Sequence, residues 1–190
     1  MGDATQEFLD NSQYTRNGVL KYEFVFGHGF ISPGGLESTQ KLFSKELLSP
    51  SLASNASVLD VGCGIGGGSQ YLFDTFRANV LGIDLATECI AIAQQRYNHN
   101  DSLRFEVADA LEYELPVNHF DLVYSRDSIL HIHSKEKLFT RLLQSTKPGG
   151  RLYFTDYTCG DQSLWDESFK AYVSQRGYSL LTIDQYKQVQ

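Results

Sequence analysis

Short apolar runs and amphipathic stretches alternate along this chain from Val58 onward. Val58–Val61 (VLDV) reads as a strand. Ser69–Phe76 places Tyr71, Leu72, Phe73 and Phe76 on adjoining helical positions. Asn79–Leu85 (NVLGIDL) predicts a second strand, Ala86–Tyr97 a helix, Leu103–Val107 a third strand and Phe120–Tyr124 a fourth. Lys135–Thr146 predicts a helix with Leu138, Phe139, Leu142 and Leu143 as its apolar stripe, ended by Pro148-Gly149-Gly150. Arg151–Thr155 predicts the fifth strand. In the tail, Ser163-x-x-Asp166 resembles a capping box and predicts a helix start. That helix carries Trp165, Phe169, Tyr172 and Val173 on one side and stops at Gly177. A second short helix is predicted from Thr182-x-x-Gln185. The first 57 residues predict a short helical cap and a glycine turn at Ser32-Pro33-Gly34-Gly35.

Strands alternating with helices predict right-handed β-α-β units, hence a mostly parallel sheet with helices on both faces. A length of 190 residues suits one domain, a cap over residues 1–57 and a core over 58–190. In such sheets ligands bind beyond the carboxyl ends of the strands. The residues at those ends are Asp60 and the glycines after it, Asp84, Asp109, Ser125-Arg126-Asp127 and Asp156-Tyr157.

Composition narrows the classes. A formal net charge of −7 leaves no overall basic footprint for nucleic acid, though an anionic small substrate stays possible at a local site. The three cysteines, Cys63, Cys89 and Cys159, have no C-x-x-C spacing. They point away from a disulfide framework or zinc site and towards a reducing, cytoplasmic setting. No run of 18 apolar residues predicts a membrane span, and MGDATQ lacks the basic and apolar regions of a signal peptide.

The chemistry concentrates after the first strand, where GCGIGGG holds five glycines within seven residues. Gly62-x-Gly64-x-x-Gly67 formally meets the dinucleotide fingerprint, with Asp84 at ribose-binding distance. A nicotinamide oxidoreductase is therefore one reading. Against it, Asp60 lies two residues before the first glycine, where its carboxylate repels a pyrophosphate, and a further carboxylate, Asp109, ends the third strand. The pattern resembles the class I S-adenosylmethionine-dependent methyltransferases, whose cofactor has an ammonium and a sulfonium but no phosphate. The resemblance implies that Asp84 takes the ribose hydroxyls, Asp109 the adenine amine, and Asp60 the methionine ammonium directly or through water. Gly62, Gly64, Leu85 and Ala110 are implied as neighbouring cofactor contacts.

Two longer stretches are more specific. FLDNSQYTRNGVLKYEFVFGHGFISPGG from Phe8 and YSRDSILHI from Tyr124 resemble the phosphoethanolamine N-methyltransferases. FTDYT from Phe154 and FKAYVSQRGYSLLTIDQY from Phe169 extend the likeness. It implies a Rossmann-like class I methyltransferase fold and methylation of phosphoethanolamine and its mono- and dimethyl forms, with no metal. His131 and Tyr14 are implied as a catalytic pair, and Asp127 as a contact to the acceptor amine. Gln13, Tyr157, Tyr172, Arg176 and Tyr178 are implied around the substrate and its phosphate. Ile31, Ser32 and Arg126 are implied near the cofactor, with Arg126 alternatively contacting the substrate or pairing with a neighbouring carboxylate. His28, His99, His119 and His133 carry no such context and read as structural or surface histidines.

The chain stops before the antiparallel strand pair that closes the sheet in class I methyltransferases. The expectation is therefore a core whose last strands are missing or come from a second domain or partner chain, and a non-catalytic, partner-completed domain is the rival reading.

Overall fold

The computed structural model describes residues 6–44, 52–97 and 101–189. His99 lies outside them, as do the first five residues. A π-helical turn, Leu9–Gln13, leads into helix α1 (Arg16–Phe26), whose N-cap Thr15 accepts a bond from the Gly18 amide. Helix α2 (Gly35–Leu42) completes the cap. The core follows as β1 (Ser57–Val61), α3 (Gly67–Phe76), β2 (Asn79–Asp84), α4 (Thr87–Tyr97), β3 (Leu103–Val107), β4 (Phe120–Arg126), α5 (Lys135–Ser145) and β5 (Thr146–Thr155). Helices α6 (Glu167–Gln175) and α7 (Ile183–Gln188) form the tail.

The five strands order as β3-β2-β1-β4-β5, and all pairs are parallel. Alternation along each strand sorts the core into two layers. Val58, Val80, Leu103, Leu122 and Tyr124 pack with Leu72 and Ile90 on the α3–α4 face. Leu59, Val61, Ile83 and Val123 pack with Leu138, Phe139, Leu142 and Tyr186 on the α5–α7 face. The chain winds from β1 to β2 on one side and reaches β4 on the other, so β1 sits at the switch point where such sheets open a ligand crevice.

Three local expectations are corrected. Helix α5 ends at Ser145, and Pro148-Gly149-Gly150 falls inside β5 as an irregularity: register passes from Phe120↔Thr146 directly to Leu122↔Arg151. The hydroxyls of Ser145 and Thr146 both donate to the Leu142 carbonyl and close the helix before the proline is reached. Ser163 does not cap α6. It lies in a 3-10 turn, Gln162–Leu164, while Asp166 caps the helix by accepting the Phe169 amide at 2.7 Å. The charged acceptor at the right spacing outcompetes the serine. The aromatic side of α6 is also less covered than predicted, with Val173 its one buried residue and Phe169 and Tyr172 exposed. The Thr182–Gln185 capping box forms as read.

Candidate functional site

A cavity of about 560 Å³ opens over the carboxyl ends of β1, β2 and β4. It gathers nearly every residue singled out above. Gly62, Gly64, Asp84, Leu85, Asp109 and Ala110 line one end, under Ile31 and Ser32 of the cap. Tyr14, Asp127 and His131 stand in the same cavity, with Tyr157, Tyr172, Arg176 and Tyr178.

The glycine loop is shaped by close approach. Gly62 has φ +71°, and a Cβ there would meet the Ser128 hydroxyl at 2.2 Å. The Gly67 amide donates to the Gly29 carbonyl at 3.0 Å, and a Cβ on Gly67 would meet that oxygen at 2.2 Å. Only glycine lets the cap loop seat on the first turn of α3. Asp84 locks the loop from below: its carboxylate accepts the Gly64 amide at 2.8 Å and the Ala86 amide at 2.9 Å. Burial raises the Asp84 pKa, and those two amides oppose the rise. Asp109 accepts the Leu111 amide at 2.8 Å.

Asp60 is placed otherwise. Strand alternation turns it away from the Leu59–Val61 face and under α3, where it is 2 % exposed and accepts the Ser69 hydroxyl at 2.6 Å. It does not line the large cavity. It borders a space of about 40 Å³ behind the glycine loop, with Gly62, Gly64 and Tyr124. Burial pushes its carboxyl up to about 7. Asp60 therefore does not line the large cavity, which leaves the water-mediated form of its expected contact rather than the direct one.

The Tyr14 hydroxyl and His131 Nε2 lie 3.1 Å apart, although 117 residues separate them. The π turn presents Tyr14, and a 3-10 turn, Ile129–His131, presents the imidazole after β4. Tyr178 packs edge-on against the same ring, centroids 5.2 Å apart. Burial holds the imidazole down at about 4, helped by Lys135, Arg176 and His133. Burial first, then the Asp84 charge, raises the Tyr14 phenol far above its ordinary value. The pair is thus a neutral phenol facing a neutral imidazole. Asp127, at φ +53°, accepts the Thr155 hydroxyl at 2.9 Å.

At the far end, the Arg176 guanidinium donates to the Tyr22 hydroxyl at 3.3 Å and lies 5.7 Å from the Tyr172 ring centre. Gln13 does not line the cavity; its amide donates to the Arg176 carbonyl at 3.0 Å, so it braces the turn that carries that arginine.

Arg126 lines the cavity, but its guanidinium is committed to the cap. It donates to the carbonyls of Pro33 and Gly35 and to the Thr39 hydroxyl, 3.7 Å from the Asp127 carboxylate. The expected alternative of a pair with a nearby carboxylate agrees with its distance to Asp127, and a fork of donors from the end of β4 pins the loop that carries Ile31 and Ser32. Arg126→Lys keeps the charge and loses the fork. It is expected to destabilise the protein by about 1–3 kcal/mol and to expose the 33–39 segment to limited proteolysis. Melting curves and protease mapping read both, and a variant as resistant as the parent would remove the bracing role.

Sequence reading missed Tyr22 and Lys135, and marked Asp156 only by its place after the fifth strand. Tyr22 lies within the family-like run from Phe8, but neither the residues nor the resemblance gave it a role. Lys135 reads as an ordinary charged start to an amphipathic helix, yet it is 3 % exposed. Asp156 accepts the Leu130 amide at 3.1 Å and the Tyr186 hydroxyl. Of the other described histidines, His28 faces Glu23 at 3.2 Å, His119 packs on Phe120, and His133 is exposed at the cavity mouth.

A family model described as a methyltransferase domain matches residues 59–154. The chain is 42 % identical to a phosphoethanolamine N-methyltransferase of Plasmodium falciparum, over 98 % of this chain and 70 % of that protein. It is 45 % identical to phosphoethanolamine N-methyltransferase 1 of Arabidopsis thaliana, over 97 % of this chain and 37 % of that one. The Haemonchus contortus phosphoethanolamine N-methyltransferase 2, solved with phosphomonomethylethanolamine and S-adenosylhomocysteine, superposes with a TM-score of 0.91 at 40 % identity. That match covers 97 % of this chain and 43 % of the nematode chain, so the chain spans less than half the length of these plant and nematode relatives. In sequence and in its class I methyltransferase fold alike, the chain belongs to the phosphoethanolamine N-methyltransferase family.

Proposed function

We propose that this chain binds S-adenosylmethionine and methylates the amine of phosphoethanolamine or its mono- and dimethyl forms, towards phosphocholine. The observation that carries the reading is the Tyr14–His131 pair, standing in one cavity between a carboxylate-lined end and an arginine- and tyrosine-lined end.

The residues present fit the cofactor. Asp84 and Asp109 offer carboxylate oxygens to hydroxyl and amine donors, Leu85 and Ala110 flank them, and Ile31 and Ser32 cover them. When bound, S-adenosylmethionine supplies an electrophilic methyl group. The rest is positioning and proton handling by this chain. Arg176, with the hydroxyls of Tyr157, Tyr172 and Tyr178 nearby, suits a phosphate dianion. The amine at the other end of the substrate has a pKa of about 10, and freeing its lone pair at pH 7 costs about 4–5 kcal/mol. Tyr14 takes a proton from the ammonium on its oxygen and passes its own to His131 Nε2, so no phenolate need form. Asp127 holds the cationic amine beside that pair.

The test is transfer of a labelled methyl group from S-adenosylmethionine to each phosphobase, with calorimetric titration of S-adenosylhomocysteine and NAD. Binding of S-adenosylhomocysteine without NAD, and label in the phosphobase, is the expected result. NAD binding would restore the oxidoreductase reading.

One observation favours completion by further strands. Among the described strands β5 pairs only with β4, and Leu143 on the adjoining helix is 48 % exposed. A free edge of this kind accepts another strand, from a second segment or a partner chain. The site of action we read as cytoplasmic: all three cysteines are free, and among the described residues no helix is long and apolar enough to cross a membrane.

A further inference from the structure

We propose that Lys135 is the positioning residue for His131: its buried ammonium clamps the turn that carries the imidazole and sets a positive charge behind it. The inference rests on the proton-acceptor role proposed for His131.

Lys135 is the first residue of α5, a poor place for a cation, because the helix N-terminus is itself positive. Burial adds several kcal/mol of desolvation cost. An apolar side chain would avoid both penalties, so the reason for lysine lies in what it touches. Its Nζ donates to the carbonyls of Ile129 and Ile132, each at 2.8 Å. Ile129 opens the 3-10 turn and Ile132 follows it. Between them, the Leu130 amide donates to Asp156 and the Leu130 carbonyl accepts the Ser179 amide at 2.6 Å. The His131 amide donates to the Ser128 carbonyl at 3.1 Å. The backbone on both sides of His131 is therefore held from α5, β5 and the tail at once.

The charged and titratable groups around the imidazole are Tyr14, Tyr178, Arg176, His133 and Lys135. Of the cations among them, Arg176 is the one a substrate phosphate would neutralise, and His133 is exposed. Lys135 is buried, and its ammonium has no carboxylate within ion-pair distance among the described contacts. Its field opposes a lasting proton on His131, so the imidazole is returned to its neutral form after each transfer. Burial lowers the lysine to about 8, with Asp156 opposing, so it stays mostly charged at neutral pH.

Lys135→Met removes charge and donors while keeping length, and Lys135→Arg keeps the charge. The readout is the His131 titration midpoint in the free protein, by carbon-13 NMR of labelled histidine, beside kcat and KM for phosphoethanolamine. In Lys135→Met the midpoint is expected to rise by about one pH unit, and kcat to fall at least about tenfold with KM nearly unchanged. Lys135→Arg is expected to keep the low midpoint. An unchanged midpoint in folded Lys135→Met, or the same rise in Lys135→Arg, overturns the proposal. If Lys135→Met does not fold, Lys135→Gln is read by the same criteria. A parent chain inactive on phosphobases defeats the proposed function instead, because the NMR midpoint needs no turnover.

Discussion

His131→Ala is expected to lower kcat for phosphobase methylation by about 10²–10⁴-fold while leaving S-adenosylhomocysteine affinity unchanged. The imidazole lines the same cavity as the carboxylate pair and stands 3.1 Å from the Tyr14 hydroxyl, so in the proposed relay its loss removes the proton acceptor and leaves the cofactor end intact. Tyr14→Phe is expected to fall similarly, and the double variant no further than either single one, because the two act as one relay. Labelled-methyl assays read the rates, and a kcat within threefold of the parent in both single variants would end the relay assignment.

The same substitution has an opposite effect on stability in acid. An exposed histidine titrates near 6.5, whereas His131 is held down at about 4. Between those values the unfolded chain binds a proton that the folded chain refuses. Stability therefore rises with pH across that window and is lost as pH falls from about 6.5 towards 4. His131→Ala removes this contribution. Its melting temperature is expected to fall less than the parent's between pH 7 and pH 5. A protein that loses activity and gains acid tolerance in one step has lost a buried base.

Much of this was legible in sequence because it is local. Val58–Val61, Asn79–Leu85 and Leu103–Val107 are short apolar runs between breakers, and they form β1, β2 and β3 within a residue of the reading. The glycine loop and Asp84 declare themselves by spacing alone. What stayed hidden depends on distant partners. Arg126 reaches residues 87 to 93 positions away, and nothing near it in sequence announces that its fork will brace the cap. The cap is also tied down by a pair of bonds from Arg96 to Glu23, at 2.6 and 3.0 Å, across 73 residues. Asp60 is a different case. Its neighbours Leu59 and Val61 face the α5–α7 layer, so the two-residue period of a strand already turned its carboxylate the other way. Lys135 hid because an amphipathic helix start is the commonest place to find a solvated lysine, and only the fold of the preceding turn brings two carbonyls over it.

Asp84→Ala is expected to weaken S-adenosylhomocysteine binding by about 100-fold or more, some ~3 kcal/mol. The size follows from two roles in one carboxylate. Its oxygens accept the Gly64 and Ala86 amides, and removing them strands two donors at about 1–3 kcal/mol each. The loop between Gly62 and Gly66 then keeps the amide bonds of Gly62 and Cys63 to the Ile83 carbonyl, at 2.8 and 3.1 Å, and its internal Gly66-to-Cys63 turn bond at 3.1 Å, but no side-chain tether from β2. In the proposed complex the same oxygens also meet the ribose hydroxyls, so the cofactor loses its partner and the loop loses its tether together. Asp84→Asn keeps one acceptor oxygen but turns an NH₂ towards one of the two amide donors, and should fall between parent and alanine. Asp109→Ala separates the roles, since it loses a single bond to the Leu111 amide. Its affinity should drop about tenfold with the melting temperature nearly unchanged, whereas Asp84→Ala should lower both. Calorimetric titration and thermal melts of the three variants test this ordering. If Asp84→Ala folds and binds within threefold of the parent, the carboxylate holds only the loop, and the ribose must be held by another part of the cavity.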